Sequence, residues 1–185
     1  VGHALAIACQ KNTQPVQKIT IVPRTMGSLG YTMQMPEEER YLMTKDEMLD
    51  DITALLAGRG AEEIIFKNVT TGASNDIERA TELARAMVTR FGMSETFDMM
   101  ALEKENNMYL TGRTSRTCSD ETGAKADAEV LDIIRKCHKK ALDILNENID
   151  ALNKIAAFLI DEETISGEKF MEIFEEVKKE REANV

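Results

Sequence analysis

A mainly α-helical fold with a small two- to three-stranded β element near the N-terminus is predicted by three features of this 185-residue sequence. From Lys45 onward, apolar residues recur at the three- and four-residue spacing of a helix face. One earlier segment, Pro15 to Met35, alternates instead and carries the β-branched residues that suit a pleated strand. Tryptophan is absent while methionine occurs eleven times, so the core must come from aliphatic side chains that fill gaps between helices.

Taken in order, the apolar run Ala4–Cys9 reads as a short helix headed by His3, and 11–15 as a connection. Pro15–Val22 is a strand, 23–27 a turn, and Leu29–Met35 a second extended stretch, giving a hairpin with an open edge. Thr44 and Glu47 form a capping box, with Thr44 as N-cap and Glu47 three residues in. The helix they open buries Met48, Ile52, Leu55 and Leu56, then passes through Gly58-Arg59-Gly60 toward Phe66. Each glycine inside a helix costs about 1 kcal/mol relative to alanine, so close packing is expected there. The stretch 69–94 is a loop feeding a helix: Thr70, Thr71 and Gly72 turn, and Ser74 or Asn75 caps. Ile77, Ala80, Ala84, Met87, Val88 and Phe91 form its stripe, and Gly92 its stop. Residues 95–119 are a long polar loop with a short extended piece near Met108–Leu110. Beyond Ser119 two helices carry a stripe from Val130 to Leu159, with a bend at 146–150. A turn at 161–167 precedes a last helix, Glu168–Lys178.

Composition narrows the function. A net charge of −10 argues against nucleic acid, which calls for a basic face. Cys9, Cys118 and Cys137 are odd in number and lack metal-type spacing, as suits a reducing compartment. No apolar run approaches the ~20 residues of a membrane span, and no P-loop, GxSxG elbow or internal repeat occurs. His138 sits among Arg135, Lys136, Lys139 and Lys140, which marks a solvated face.

Two residues stand out. Asp76 falls in the first turn of its helix, where the dipole and free N–H groups favour a carboxylate in any case. His3, alone, is an ordinary half-buried residue. Yet Val1-Gly2-His3 reads like the tail of an HExxH helix cut just after its glutamate. In that motif two histidines on one helix face hold zinc and the glutamate serves as general base. The set of xGHALA, LGYTMQMPEEERYLMTKDEML, AGRGAEEIIF and TTGASNDIERAT, in that order, resembles the protease domain of FtsH-type ATP-dependent zinc metalloproteases. The resemblance covers essentially the whole chain, strongly over 1–94 and loosely in the tail, where SDETGAKAD follows the pattern poorly.

The resemblance implies a zinc endopeptidase domain spanning 1–185, with a zinc-site lobe at 1–94 and a C-terminal helical part at 120–185. It implies zinc held by His3, Asp76 and a histidine upstream of Val1, with the general base upstream too, so that no catalytic residue lies in this chain. Thr71 and Gly72 would shape the loop presenting Asp76, and Glu63 would orient a metal-bound histidine. Leu29, Gly30, Tyr31, Thr32 and Met33 would pair with the backbone of an unfolded protein substrate. A membrane anchor and an ATP-using module would precede the chain in a homo-hexameric parent, with this domain in bacterial cytoplasm or an organelle interior. The fragment alone is expected to be inactive and to bind zinc poorly. A pseudoprotease kept for assembly and a purely helical interaction module are the alternatives; the residues before Val1 discriminate the first, and zinc binding by an extended chain the second.

Overall fold

The computed structural model describes residues 1–22, 31–34, 42–105 and 114–183. Its elements run α1 (Gly2–Ala8), β1 (Val16–Thr20), β2 (Tyr31–Gln34), α2 (Lys45–Phe66), a 3₁₀ turn (Thr71–Ala73), α3 (Ser74–Thr89), β3 (Glu103–Glu105), β4 (Thr114–Arg116), α4 (Asp120–Glu147), α5 (Ile149–Glu162), β5 (Thr164–Ser166) and α6 (Gly167–Ala183). The fold is mainly α, as the apolar periodicity predicts.

α2 starts where the capping box requires. The Thr44 hydroxyl accepts from the Glu47 N–H at 3.2 Å, and Glu47 Oε2 accepts from the Thr44 N–H at 2.7 Å. The helix runs unbroken through both glycines to Phe66, and Lys67 ends it in the left-handed region at φ 52°. It packs against α1, α3 and α4, which is why its apolar residues wrap around it. One core joins α1, β1, α2, the end of α4, α5, β5 and α6 around Leu5, Leu145, Ile155 and Phe170. A second joins α2, α3 and the start of α4 around Ile52, Met87 and Val88.

The main sheet is antiparallel in the order β2-β1-β5. Ile19 opposes Ile165 across β1 and β5, and both are buried. Beside them the hydroxyls of Thr20 and Thr164 lie 2.9 Å apart. The strand β5 corrects the reading of 161–167 as a turn: three residues are too few to show alternation, and pairing with β1 decides their conformation. Strands β3 and β4 are a further departure, framing the 95–119 segment; the extended piece expected at 108–110 lies outside the described residues. The break between α4 and α5 falls at Asn148, inside the expected bend, where its side chain donates to the Ile144 carbonyl at 2.8 Å.

In α3 the stripe holds at Ala80, Ala84, Met87 and Val88, but its ends do not: Ile77 and Phe91 are exposed. Periodicity marks a face, and the face outruns the helices that cover it. Gly92 adopts φ 63° after the helix, as its stop role requires. The cysteines are all free, with Cys137 buried and Cys9 exposed. No helix among the described residues is long and apolar enough to cross a membrane.

Behind the first core, Asp50 ties three elements together. Its buried carboxylate meets Lys140 Nζ of α4 at 2.6 Å and Asn12 Nδ2 of the α1–β1 connection at 3.0 Å, while its carbonyl accepts from Gln10 at 3.0 Å. The exit of α1 is thereby pinned to α2.

The join between sheet and last helix is equally tight, because a Cβ on Gly167 would fall on the Val16 carbonyl oxygen. Backbone cannot swing aside as a side chain can. Gly167→Ala is therefore expected to separate α6 from β1, costing about 1–3 kcal/mol and lowering Tm by roughly 5 °C. Thermal melting of the variant checks this, and an unchanged Tm would refute the contact.

Candidate metal centre

α1 lies flat on α2 because both present small residues. A Cβ on Gly2 would come within 2.6 Å of the Ala57 carbonyl oxygen and 2.9 Å of Ala61 Cβ. Ala54, Ala57 and Ala61 sit at i, i+3 and i+7 of α2, on one face. Seated there, His3 donates from Nδ1 to the carbonyl of Ala54 at 2.9 Å. A carbonyl only accepts, so Nδ1 carries the proton and Nε2 is left with its lone pair whenever the ring is neutral.

Asp76 comes from α3. The local signals place the cap at Ser74 or Asn75, but no side chain caps α3 itself. Instead the 3₁₀ turn leads directly into the helix, and Thr70 caps that turn by accepting from the Gly72 N–H at 3.1 Å. Thr70 is in turn clamped to α2. Glu62 accepts from its N–H at 3.1 Å and its hydroxyl at 2.8 Å, and Arg59 donates to its carbonyl at 2.7 Å. Thr71 and Gly72 occupy the exposed turn so held, and Asp76 follows in the first turn of α3.

The two expected metal ligands meet. Asp76 Oδ2 lies 3.4 Å from His3 Nε2, with both side chains about one-third to one-quarter exposed (33% and 26%). Donors at ~2.0–2.2 Å on a tetrahedral ion stand about 3.3–3.6 Å apart, so an imidazole nitrogen and a carboxylate oxygen at this separation fit zinc. Among the described residues no three His, Cys, Asp or Glu side chains converge into a metal-binding group.

Glu63, expected to orient a metal-bound histidine, lies near His138. Its carboxylate faces α4, with Oε2 3.3 Å from His138 Nε2 but without hydrogen-bond alignment. The reason is helical geometry: successive residues point about 100° apart, so Glu62 faces the Thr70 turn and Glu63 faces α4. His3 is oriented by a backbone carbonyl instead. Of the expected substrate strand, Leu29 and Gly30 lie outside the described residues. Tyr31, Thr32 and Met33 lie in β2, opposite Thr20, Ile19 and Lys18, at the edge of the sheet away from β5. Ala54, Arg59, Glu62 and Thr70 were not identified as site residues from sequence. The GRGAEE run held the signal, since Arg59 and Glu62 are one turn apart and face one way.

A helical body that sets an imidazole and a carboxylate side by side from two helices agrees with the metallopeptidase resemblance. The chain belongs to peptidase family M41, whose model matches residues 1–173. It is 61% identical over 173 residues to the ATP-dependent zinc metalloprotease FtsH of Clostridium perfringens, covering 94% of this chain and 24% of that protein. It is 54% identical over 172 residues to FtsH of Lancefieldella parvula (93% of this chain, 27% of that protein). To FtsH 3 of Petrotoga mobilis it is 47% identical over 178 residues (95% and 28%). The chain thus spans about a quarter of the length of these curated relatives.

The hydrogen bonds from Thr70 hold the Glu62 carboxyl below its ordinary pKa of 4.5. A depressed folded value means the clamp contributes fully above pH 4.5 and is lost as pH falls through the folded value. The Thr70 amide is expected to be protected from hydrogen exchange at pH 6 and to lose that protection on acidification below 4.5. Glu62→Gln should lower protection and flatten its pH dependence. Equal protection in the variant would show that the turn stands without this clamp.

Proposed function

We propose that this chain is the peptidase domain of an ATP-dependent zinc metalloprotease, and that His3 and Asp76 are two of its zinc ligands. The observation that carries the reading is the 3.4 Å approach of Nε2 and Oδ2, with Nδ1 committed to a backbone carbonyl. As a bare ion pair, about a third open to solvent, it would contribute at most about 1 kcal/mol. That is little return for two helices and a clamped turn arranged to create it.

The HExxH motif that Val1-Gly2-His3 resembles would supply a third ligand and a general base. Bound zinc supplies Lewis-acid polarisation of the scissile carbonyl. His3 presents a fixed lone pair, Asp76 a fixed carboxylate, and the Thr70 turn keeps the latter in place. The β2 edge, at Tyr31–Met33, lies where an extended polypeptide could add as a further strand, which holds a chain without reading its sequence. Substrates are unfolded proteins, delivered by an upstream ATP-driven, membrane-anchored module of a homo-hexamer. His3 and Asp76 by themselves are two donors, one fewer than the three protein ligands a catalytic zinc site uses.

Asp76→Asn in the full-length protein tests the assignment. Zinc content and casein hydrolysis should both fall, the latter at least 100-fold, while Tm of the zinc-free protein changes by no more than about 3 °C. A lower Tm with zinc content and rate intact would make Asp76 a helix-terminal carboxylate only.

A further inference from the structure

Gly58 lies in the middle of the 22-residue α2, where its backbone needs no glycine: among glycines of the described residues, only Gly92 has positive φ. Alanine would be favoured there by helix propensity. The space around it gives the reason. A Cβ at position 58 would overlap His3 Nε2 and lie 2.5 Å from Cε1. The imidazole therefore rests on bare backbone.

The hydrogen bond of the ring explains why it must. In an α-helix the carbonyl of Ala54 already receives the N–H of residue 58, one turn on. A second donor reaches that oxygen only from the side, across the surface that a side chain at 58 would cover. His3 Nδ1 makes this second approach at 2.9 Å. The ring then lies over the turn with Nε2 3.4 Å from Asp76 Oδ2.

We infer that Gly58 is a positioning residue for the metal centre: its missing side chain is the seat of the His3 imidazole, and fixes both the tautomer and the direction of Nε2. The inference rests on the zinc reading above for its functional consequence, though not for its geometry. Gly60 is the internal comparison. A Cβ there would meet only the ends of Leu145 and Leu142, at 3.1 and 3.3 Å, on the α4 side and away from the ring.

The test uses the full-length protein and two measurements, zinc affinity by chelator competition and domain melting by calorimetry. Gly58→Ala should weaken zinc binding about 10–100-fold, the usual effect of losing a group that orients a metal-bound histidine, while Gly60→Ala leaves it within about twofold. Melting is compared in a cycle with His3→Ala. With the ring removed, Gly58→Ala should raise Tm by a few degrees, as an unstrained glycine-to-alanine change in a helix does. With the ring present it should not. Failure of Gly58→Ala to fold in the His3 protein alone also supports the seat; failure in both backgrounds overturns it. So does wild-type zinc affinity in Gly58→Ala, or an equal Tm shift with and without His3. If the wild-type protein binds no zinc, the zinc reading falls, and the melting cycle still decides the role of Gly58.

Discussion

The packing of α1 on α2 is the constraint on which the site depends. α1 is seated by α2, against which its buried residues pack. The contact is made of Gly2 against Ala57 and Ala61, with Leu5 and Ile7 buried in the same core. Such a contact brings backbones close enough for a histidine on one helix to hydrogen-bond a mid-helix carbonyl on the other. Larger residues along this seam would hold the helices apart and leave Nδ1 without that partner.

α2 in turn is fixed from every side. Its start is closed by the capping box, its middle is shared between two cores, and Asp50 binds both α4 and the chain leaving α1. The Asp50–Lys140 pair, its carboxylate buried and its ammonium exposed, is weak evidence of net stability, since desolvation of the carboxylate offsets part of the attraction. Its directional bonds do something else. They allow one arrangement of α1, α2 and α4 and penalise slippage by leaving a buried carboxylate unpaired.

How much of this was legible in the sequence follows the range of each signal. The Thr44–Glu47 box, the length of α2 and the buried middle of α3 are local patterns, and each is where the spacing predicts. The strand β5 is not a local pattern, because its conformation comes from β1, more than a hundred residues earlier. His3 and Asp76 are 73 positions apart (76 − 3), and only the resemblance of short motifs could join them before their 3.4 Å approach was seen. The choice between Glu62 and Glu63 shows the limit most clearly. Adjacent identical residues carry no difference in propensity, and only the rotation of α2 against its neighbours separates a clamp on Thr70 from a contact with His138.

The two halves of the centre are held by different physics. His3 is set by close packing and a half-buried bond to a helix backbone, a contact that opens only if α1 leaves its core. Asp76 is set by the exposed bonds of Thr70, Glu62 and Arg59, of the kind that open locally at small free-energy cost. An ion bound between them would join the rigid half to the yielding one. Because it binds the assembled geometry and not the opened turn, it would stabilise that turn by mass action, in proportion to the logarithm of free metal over its dissociation constant. The order of the ligand-bearing loop and the occupancy of the proposed centre are then one equilibrium. The weaker half, at Thr70, is where acid, substitution or metal loss should first be felt.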